Sequence, residues 1–417
     1  MAVVRDYENK AMDMKTAEKV LREQILPYIN DGINDDPAPL MEITAKKELT
    51  ANTGRRGVSL GINGGFGMSE ERYETPRAHA PVMGELKYIS HDAYNEIEVS
   101  EKAMRLGSDE NGSLVNIISV QGDAVRQSNA WNVARMLYGS PDGILAKLTA
   151  ATNGSEATIT VDDVTKLIIG LAIDIYPAGT TVDNAKNPST SQLATYTLSA
   201  QIIAIDYDTN KVLLNKVPVA AESGAFITVQ NSYGRELTGL KSVFDPAIDT
   251  IYGVKKADAP WLKPYTVSAA NDIDDTKITD AVMEANRRVR AKVEYLLAGK
   301  KAFNAFEYRM KESPNNITIV DNKKYVGGSA GYEIIAGKQH VTVVRDDYVP
   351  STEMWGVERG NLSLYQTGWD YCGGGINGGV FTLLERQSVY RALMANYLEF
   401  VVEHPGKCVR ITDCATA

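Results

Sequence analysis

The sequence holds 417 residues, with 44 Lys and Arg against 53 Asp and Glu and a net charge of −9. That balance excludes a chain whose main work is coating phosphates, which needs clustered excess cation. No run approaches the ~20 apolar residues that span a bilayer, and the N-terminus lacks the apolar core of a signal peptide.

The first 50 residues read as an arm rather than a core element. Thr16 to Ile29 carries Val20, Leu21, Ile25 and Leu26, a short amphipathic helix ended near Pro27, and NDGINDDPAPL then offers turn formers without periodicity. Such a segment cannot fold alone and is expected to lie across a neighbour. Residues 52–97 read as a long extended excursion. Val58, Leu60 and Ile62 share one face of a strand, and Leu86, Tyr88 and Ile97 suggest a returning one. A two-stranded ribbon of this kind needs something else to pack on.

From Ser113 to Tyr138 the period turns helical, with Leu114, Ile117, Ile118, Val125, Val133 and Leu137 apolar, a cap at Asn111 or Ser113 and a breaker at Gly139 to Gly143. Residues 157–231 switch to strand pattern. Five segments (ATITV, LIIGLAIDIYPAG, TYTLSAQIIAIDY, KVLLNKVPV, AFITVQN) predict a small barrel or sandwich, with a hairpin turn at Asp208-Thr209-Asn210. A second helix is predicted over 275–298 from Ile278, Val282, Ala285, Val289, Val293 and Leu296, capped by Asp274 or Asp275 and stopped by Gly299. The tail then reads as strands: NITIV, HVTVV, EMWGV, LSLYQ, VFTLLE, and one or two more in the closing 25 residues.

Chemical motifs are sparse. Three cysteines (Cys372, Cys408, Cys414) make no disulfide framework, and four separated histidines offer no metal spacing. GINGGFG (61–67) and GGGINGG (373–379) match no phosphate-binding loop and read as bent backbone. Asp274-Asp275 reads as a helix N-terminus, and Asp346-Asp347 as a strand end entering a turn. Arg287, Arg288, Arg290 and Lys292 read as a solvated or salt-bridged helix face. The 21 Tyr against 7 Phe and 4 Trp hint at contacts between chains. No catalytic, cofactor or metal site is expected, and no enzymatic activity.

The order of parts, with Gly239-Leu240-Lys241-Ser242-Val243-Phe244-Asp245, Thr250-Ile251-Tyr252-Gly253-Val254, Pro260-Trp261-Leu262-Lys263-Pro264 and the closing RALMANYLEFVVEHPGKCVRI, resembles the major capsid proteins of tailed bacteriophages, whose fold encapsulin shells share. The resemblance implies an α+β phage capsid fold with an inserted small β-barrel or sandwich. It implies an N-terminal arm (1–53), an extended loop lying over an adjacent subunit (54–98), a peripheral domain with a spine helix (99–156), the insertion (157–231), a connection (232–274), an axial domain (275–386) and a closing peripheral strand (387–417). A lysine–asparagine crosslink of the kind some members form is not assigned, although Lys87 is the one lysine of the ribbon.

The function implied is self-assembly, as pentamers and hexamers, into an icosahedral shell around double-stranded DNA, in a virion assembled in the host cytoplasm. The expected partners are further copies of the chain, with scaffolding, portal and decoration proteins as candidates, DNA held only loosely and no membrane. Arg55, Arg56, Glu70, Glu71, Arg72, Glu74, Arg77 and Lys87 are the expected intersubunit contacts, because charges on a coreless ribbon set register between copies. An encapsulin-type compartment and, from the Tyr-rich β block, a carbohydrate-binding surface module are the alternatives.

Overall fold

A computed structural model of the chain describes residues 38–59, 62–70, 74–101, 113–312, 318–319, 332–372, 380–385 and 387–415. The helix expected over 16–29 and the GGGINGG segment lie outside the described residues, as do Leu60 and Gly61.

The described chain begins with α1 (Pro39–Ile43) and β1 (Ala45–Glu48), then β2 (Thr53–Ser59), β3 (Met83–Ile89) and β4 (His91–Ser100). These first two elements depart from the expectation of an arm reaching residue 53. Leu40, Met41 and Ile43 are buried in this chain's own core, and β1 pairs in parallel with a strand 318 residues later, Ala45 opposite Ser363. The physical cause is a short apolar cluster, Leu40-Met41-Glu42-Ile43, which a turn-rich composition masks.

α2 (Ser113–Tyr138) is 26 residues long, about 39 Å at 1.5 Å per residue. Val125, Val133 and Leu137 recur at helical spacing and face the body. Next come β5 (Ile144–Lys147), β6 (Thr158–Thr160), β7 (Ala172–Tyr176), the short α3 (Val182–Lys186) and α4 (Thr190–Leu193), β8 (Thr197–Asp206), β9 (Lys211–Leu214) and β10 (Phe226–Val229). The strands order β5-β10-β7-β8-β9-β6, and a Leu148–Val161 bridge returns β6 to β5, so the sheet closes into a barrel. Its interior is aliphatic: Leu148, Ile159, Ile173, Ile175, Ile202, Val212 and Ile227. The barrel recruits β5, which lies outside the expected insertion. Asn210, with positive φ, turns the β8–β9 hairpin in the predicted place.

After α5 (Leu240–Phe244), a small hairpin of β11 (Thr250–Ile251) and β12 (Val254–Lys255) leads to β13 (Tyr265–Ser268) and α6 (Asp275–Val289). Asp274 caps α6, its carboxylate accepting from the Lys277 amide at 2.8 Å. The helix predicted to 298 ends nine residues early. Arg290 adopts a left-handed conformation, and Tyr295–Ala298 forms β14 instead. Val293 and Leu296 are buried as predicted, yet in a connecting loop and in a strand that is paired on both edges. A strand covered on every side reads as a continuous apolar run and so mimics more helix.

α7 (Lys300–Glu312) follows, in a stretch for which the sequence pattern predicts no element; Ala302, Phe303, Phe306 and Met310 carry its helical spacing and are buried. Then come β15 (Thr318–Ile319), β16 (Tyr332–Ala336), β17 (Gln339–Arg345) and β18 (Met354–Val357). The chain closes with β19 (Leu362–Gln366), β20 (Asp370–Tyr371), β21 (Phe381–Leu383), β22 (Val389–Val402) and β23 (Val409–Thr412).

Two further sheets organise the body. In one, β22 pairs with β4 over ten residues, and with β19, β20 and β21 in succession; β1 extends it beyond β19. In the other, seven strands order β13-β23-β18-β14-β17-β16-β15, and α6 and α7 pack against them around Ile278, Val282, Phe306, Val341 and Ile411. The closing segment is therefore two strands in two different sheets. Many tyrosines expected at chain–chain surfaces instead lie inside: Tyr138, Tyr176, Tyr196, Tyr252 and Tyr371 are buried.

Candidate assembly surface

β2 and β3 pair antiparallel from Thr53 opposite Ile89 to Ser59 opposite Met83, forming a ribbon. Its base is fixed to the body by three kinds of contact. Val58 and Leu86 are buried in the core that holds the spine helix α2 and β22. Arg56 Nη2 reaches Glu403 Oε2 at 2.9 Å, just past the end of β22, and Lys47 Nζ reaches Glu403 Oε1 at 2.8 Å. Burial pushes the Glu403 carboxyl up, but Lys47, Arg56 and Ser363 outweigh it and hold it below the usual carboxylate value. Finally, Tyr88 stacks on Tyr365 with centroids 5.2 Å apart.

Two glycines let the ribbon lie this close. A Cβ on Gly54 would meet the Tyr88 ring at 2.0 Å, and one on Gly84 would meet Trp261 at 2.6 Å. The residues singled out between 239 and 264 meet at this base. Gly239 sits on the carbonyls that end α2, where a Cβ would come within 2.4 Å of the Met136 oxygen. The Tyr252 hydroxyl donates to the Phe400 carbonyl at 3.2 Å and accepts from the Val402 amide at 2.9 Å. The Tyr252 carbonyl takes the Lys87 amide at 3.0 Å. One segment thus ties spine helix, β22 and ribbon together.

Beyond the base, nothing among the described residues covers the ribbon's apolar side chains. Ile62, Phe66, Met68, Val82 and Met83 are 63 to 94% exposed. An exposed series of large apolar side chains on one projection is the kind of patch that interaction surfaces carry.

The chain superposes on the cyanophage A-1(L) capsid asymmetric unit with a TM-score of 0.50, at 10% sequence identity over 91% of this chain and 93% of that one. The fold is the phage-capsid fold. It carries here an inserted β-barrel, β5 to β10. Other matches include the capsid of the native GTA particle (10% identity, 90% and 89% of the chains, TM-score 0.47) and the holo-SrpI encapsulin complex from Synechococcus elongatus (10%, 90% and 87%, TM-score 0.44). No protein-family model and no curated protein matches the sequence.

On this capsid fold the charged residues picked from the sequence divide. Arg55 is exposed and pairs across the ribbon with Glu85 at 3.4 Å. Arg56 is committed to Glu403 and, at 3.3 Å, to the Tyr365 hydroxyl of its own chain. Glu70, Glu74, Arg77 and Lys87 are exposed, whereas Glu71 and Arg72 lie outside the described residues. The exposed apolar tip was not singled out from the sequence; its signal was large apolar residues among glycines with no alternating partner. Of the four cations read as one helix face, Arg287 and Arg288 lie on α6 and both bind Glu284 at 2.7 Å, drawing its carboxyl down to about 2, whereas Arg290 and Lys292 fall beyond the helix end. Among the described residues no helix is long and apolar enough to cross a membrane.

Proposed function

We propose that this chain is the structural subunit of a shell, assembling with copies of itself as pentamers and hexamers into an icosahedral capsid that encloses double-stranded DNA in a virion formed in the host cytoplasm. The observation that carries the reading is the anchored ribbon with an uncovered apolar tip. A stiff base and a sticky end suit a part that must dock on a neighbour at a fixed angle. In this reading residues 54–98 lie over an adjacent copy, and Arg55, Glu70, Glu71, Arg72, Glu74, Arg77 and Lys87 set the register between subunits. Many repeated modest contacts hold such a shell, so no single interface needs to be strong. Scaffolding, portal and decoration proteins are the partners this assembly implies. The role is structural rather than enzymatic.

Electron microscopy and sedimentation of the purified full chain test it. Closed particles are expected, with nuclease-protected DNA inside those recovered from infected or producing cells. A stable monomer under all conditions would overturn the reading, and particles filled with protein instead of DNA would replace the virion with a compartment.

A further inference from the structure

The end of the spine helix and the mouth of the barrel meet at a cavity of about 20 Å³ lined by Arg135, Lys166, Glu236 and Lys241. That is more room than one water needs. Arg135 and Glu236 form a two-pronged pair at 2.8 and 2.6 Å, both almost fully buried, and the Arg135 Nε is left with no hydrogen-bond partner. The Glu236 carboxylate is held on Arg135 from behind. Gly143, at φ +65°, presses so close that a Cβ there would come within 2.8 Å of Glu236 Cδ. That carboxylate is therefore occupied.

Lys166, half-buried in the loop between β6 and β7, and Lys241, in α5, add two more positive charges at the same cavity. Among the described residues neither side chain has a hydrogen bond or ion pair. The acids nearest in sequence are taken by their own loop. Asp162 accepts from the Lys147 and Asp163 amides at 2.8 Å, and Asp163 from the Thr165 amide and hydroxyl at 2.9 and 2.7 Å. Burial, then the Lys241 charge, pushes the Lys166 ammonium below its ordinary value, with Arg135 adding to the effect and Asp163 and Asp162 opposing it. Three cations and the Glu236 carboxylate line the cavity, with Asp162 and Asp163 offsetting part of the Lys166 charge from its own loop. A partly desolvated set of like charges is destabilising unless a counter-charge joins it.

We propose that Lys166, Lys241 and the Nε of Arg135 form a binding site for a small oxyanion of the phosphate class, which fastens the inserted barrel to the end of the spine helix. The three cations come from three separately packed parts: the barrel, α5 and α2. An anion accepting hydrogen bonds from all three removes their mutual repulsion and fixes the barrel's attitude on the body. The site is independent of the ribbon and of the shell reading.

Equilibrium dialysis of the full chain against labelled inorganic phosphate, at constant ionic strength in chloride, tests this. Saturable binding is expected, together with a phosphate-dependent rise in unfolding temperature that chloride does not give. Lys166→Ala with Lys241→Ala should weaken the binding by at least about tenfold. Because Lys241 is exposed, Lys241→Ala alone is expected to fold normally, and it should weaken phosphate binding as well. Binding that does not saturate, an equal response to chloride, or unchanged phosphate affinity in Lys241→Ala would each overturn the proposal.

Discussion

Arg56 Nη2 stands 2.9 Å from Glu403 Oε2, and through that contact the ribbon is bolted to the residue that follows the longest strand of the body. The pair is only part-buried, so its own contribution is modest, yet it fixes the direction in which an uncovered apolar tip projects.

Arg56→Glu places a second carboxylate beside Glu403 and leaves Lys47 to serve both. The expected loss is about 1 kcal/mol of stability, with faster amide exchange across 53–59 and 83–89 by mass spectrometry. Arg55→Glu, at an exposed position, should leave stability within about 0.5 kcal/mol while reducing particle yield. Equal effects of the two changes on amide exchange would refute the distinction between anchor and contact.

Gly84→Ala inserts a methyl where Trp261 already lies 2.6 Å away, at a cost of about 1 to 3 kcal/mol. The same change made in a Trp261→Ala background should cost much less, since the opposing ring is gone. Denaturant melts of the four proteins of this cycle measure the coupling.

Phe66→Ser with Met68→Ser removes two of the most exposed apolar side chains of the tip, 86 and 94% accessible. The unfolding transition of the unassembled chain is expected to stay in place, because nothing among the described residues covers them. Light scattering should show slower assembly or none. Assembly at the wild-type rate would separate the tip from the interface.

Asp346 is buried, accepts the Tyr138 hydroxyl at 2.5 Å, and is held by desolvation at a pKa of about 6 against an ordinary 3.8. A raised carboxyl binds a proton more tightly when folded than when unfolded. Its contribution is therefore full below about pH 4 and lost as pH rises through about 6, on the order of 2 to 3 kcal/mol. Asp346→Asn keeps an acceptor for Tyr138 and should flatten the fall in stability between about pH 4 and 6. Urea midpoints across that range check it; parallel pH profiles for both proteins would show that Asp346 does not carry the effect.

Local chemistry was legible in the sequence wherever one stretch of chain decides its own shape. The spine helix, the Asp274 cap, the β8–β9 turn and the alternating barrel strands depend on contacts within a few residues, and they stand where their patterns put them. Charge on the ribbon was readable too, but not its allegiance: Arg55 and Arg56 are neighbours in sequence, and only the packing of a residue almost 350 positions away makes one an internal anchor. For the same reason the second helix seemed to run on through Val293 and Leu296, because burial between two strands and burial along a helix leave the same apolar imprint. Which strands share a sheet, which tyrosines turn inward and where three cations converge are settled by long-range closure of the chain, whose free energy comes from surfaces that no local window contains.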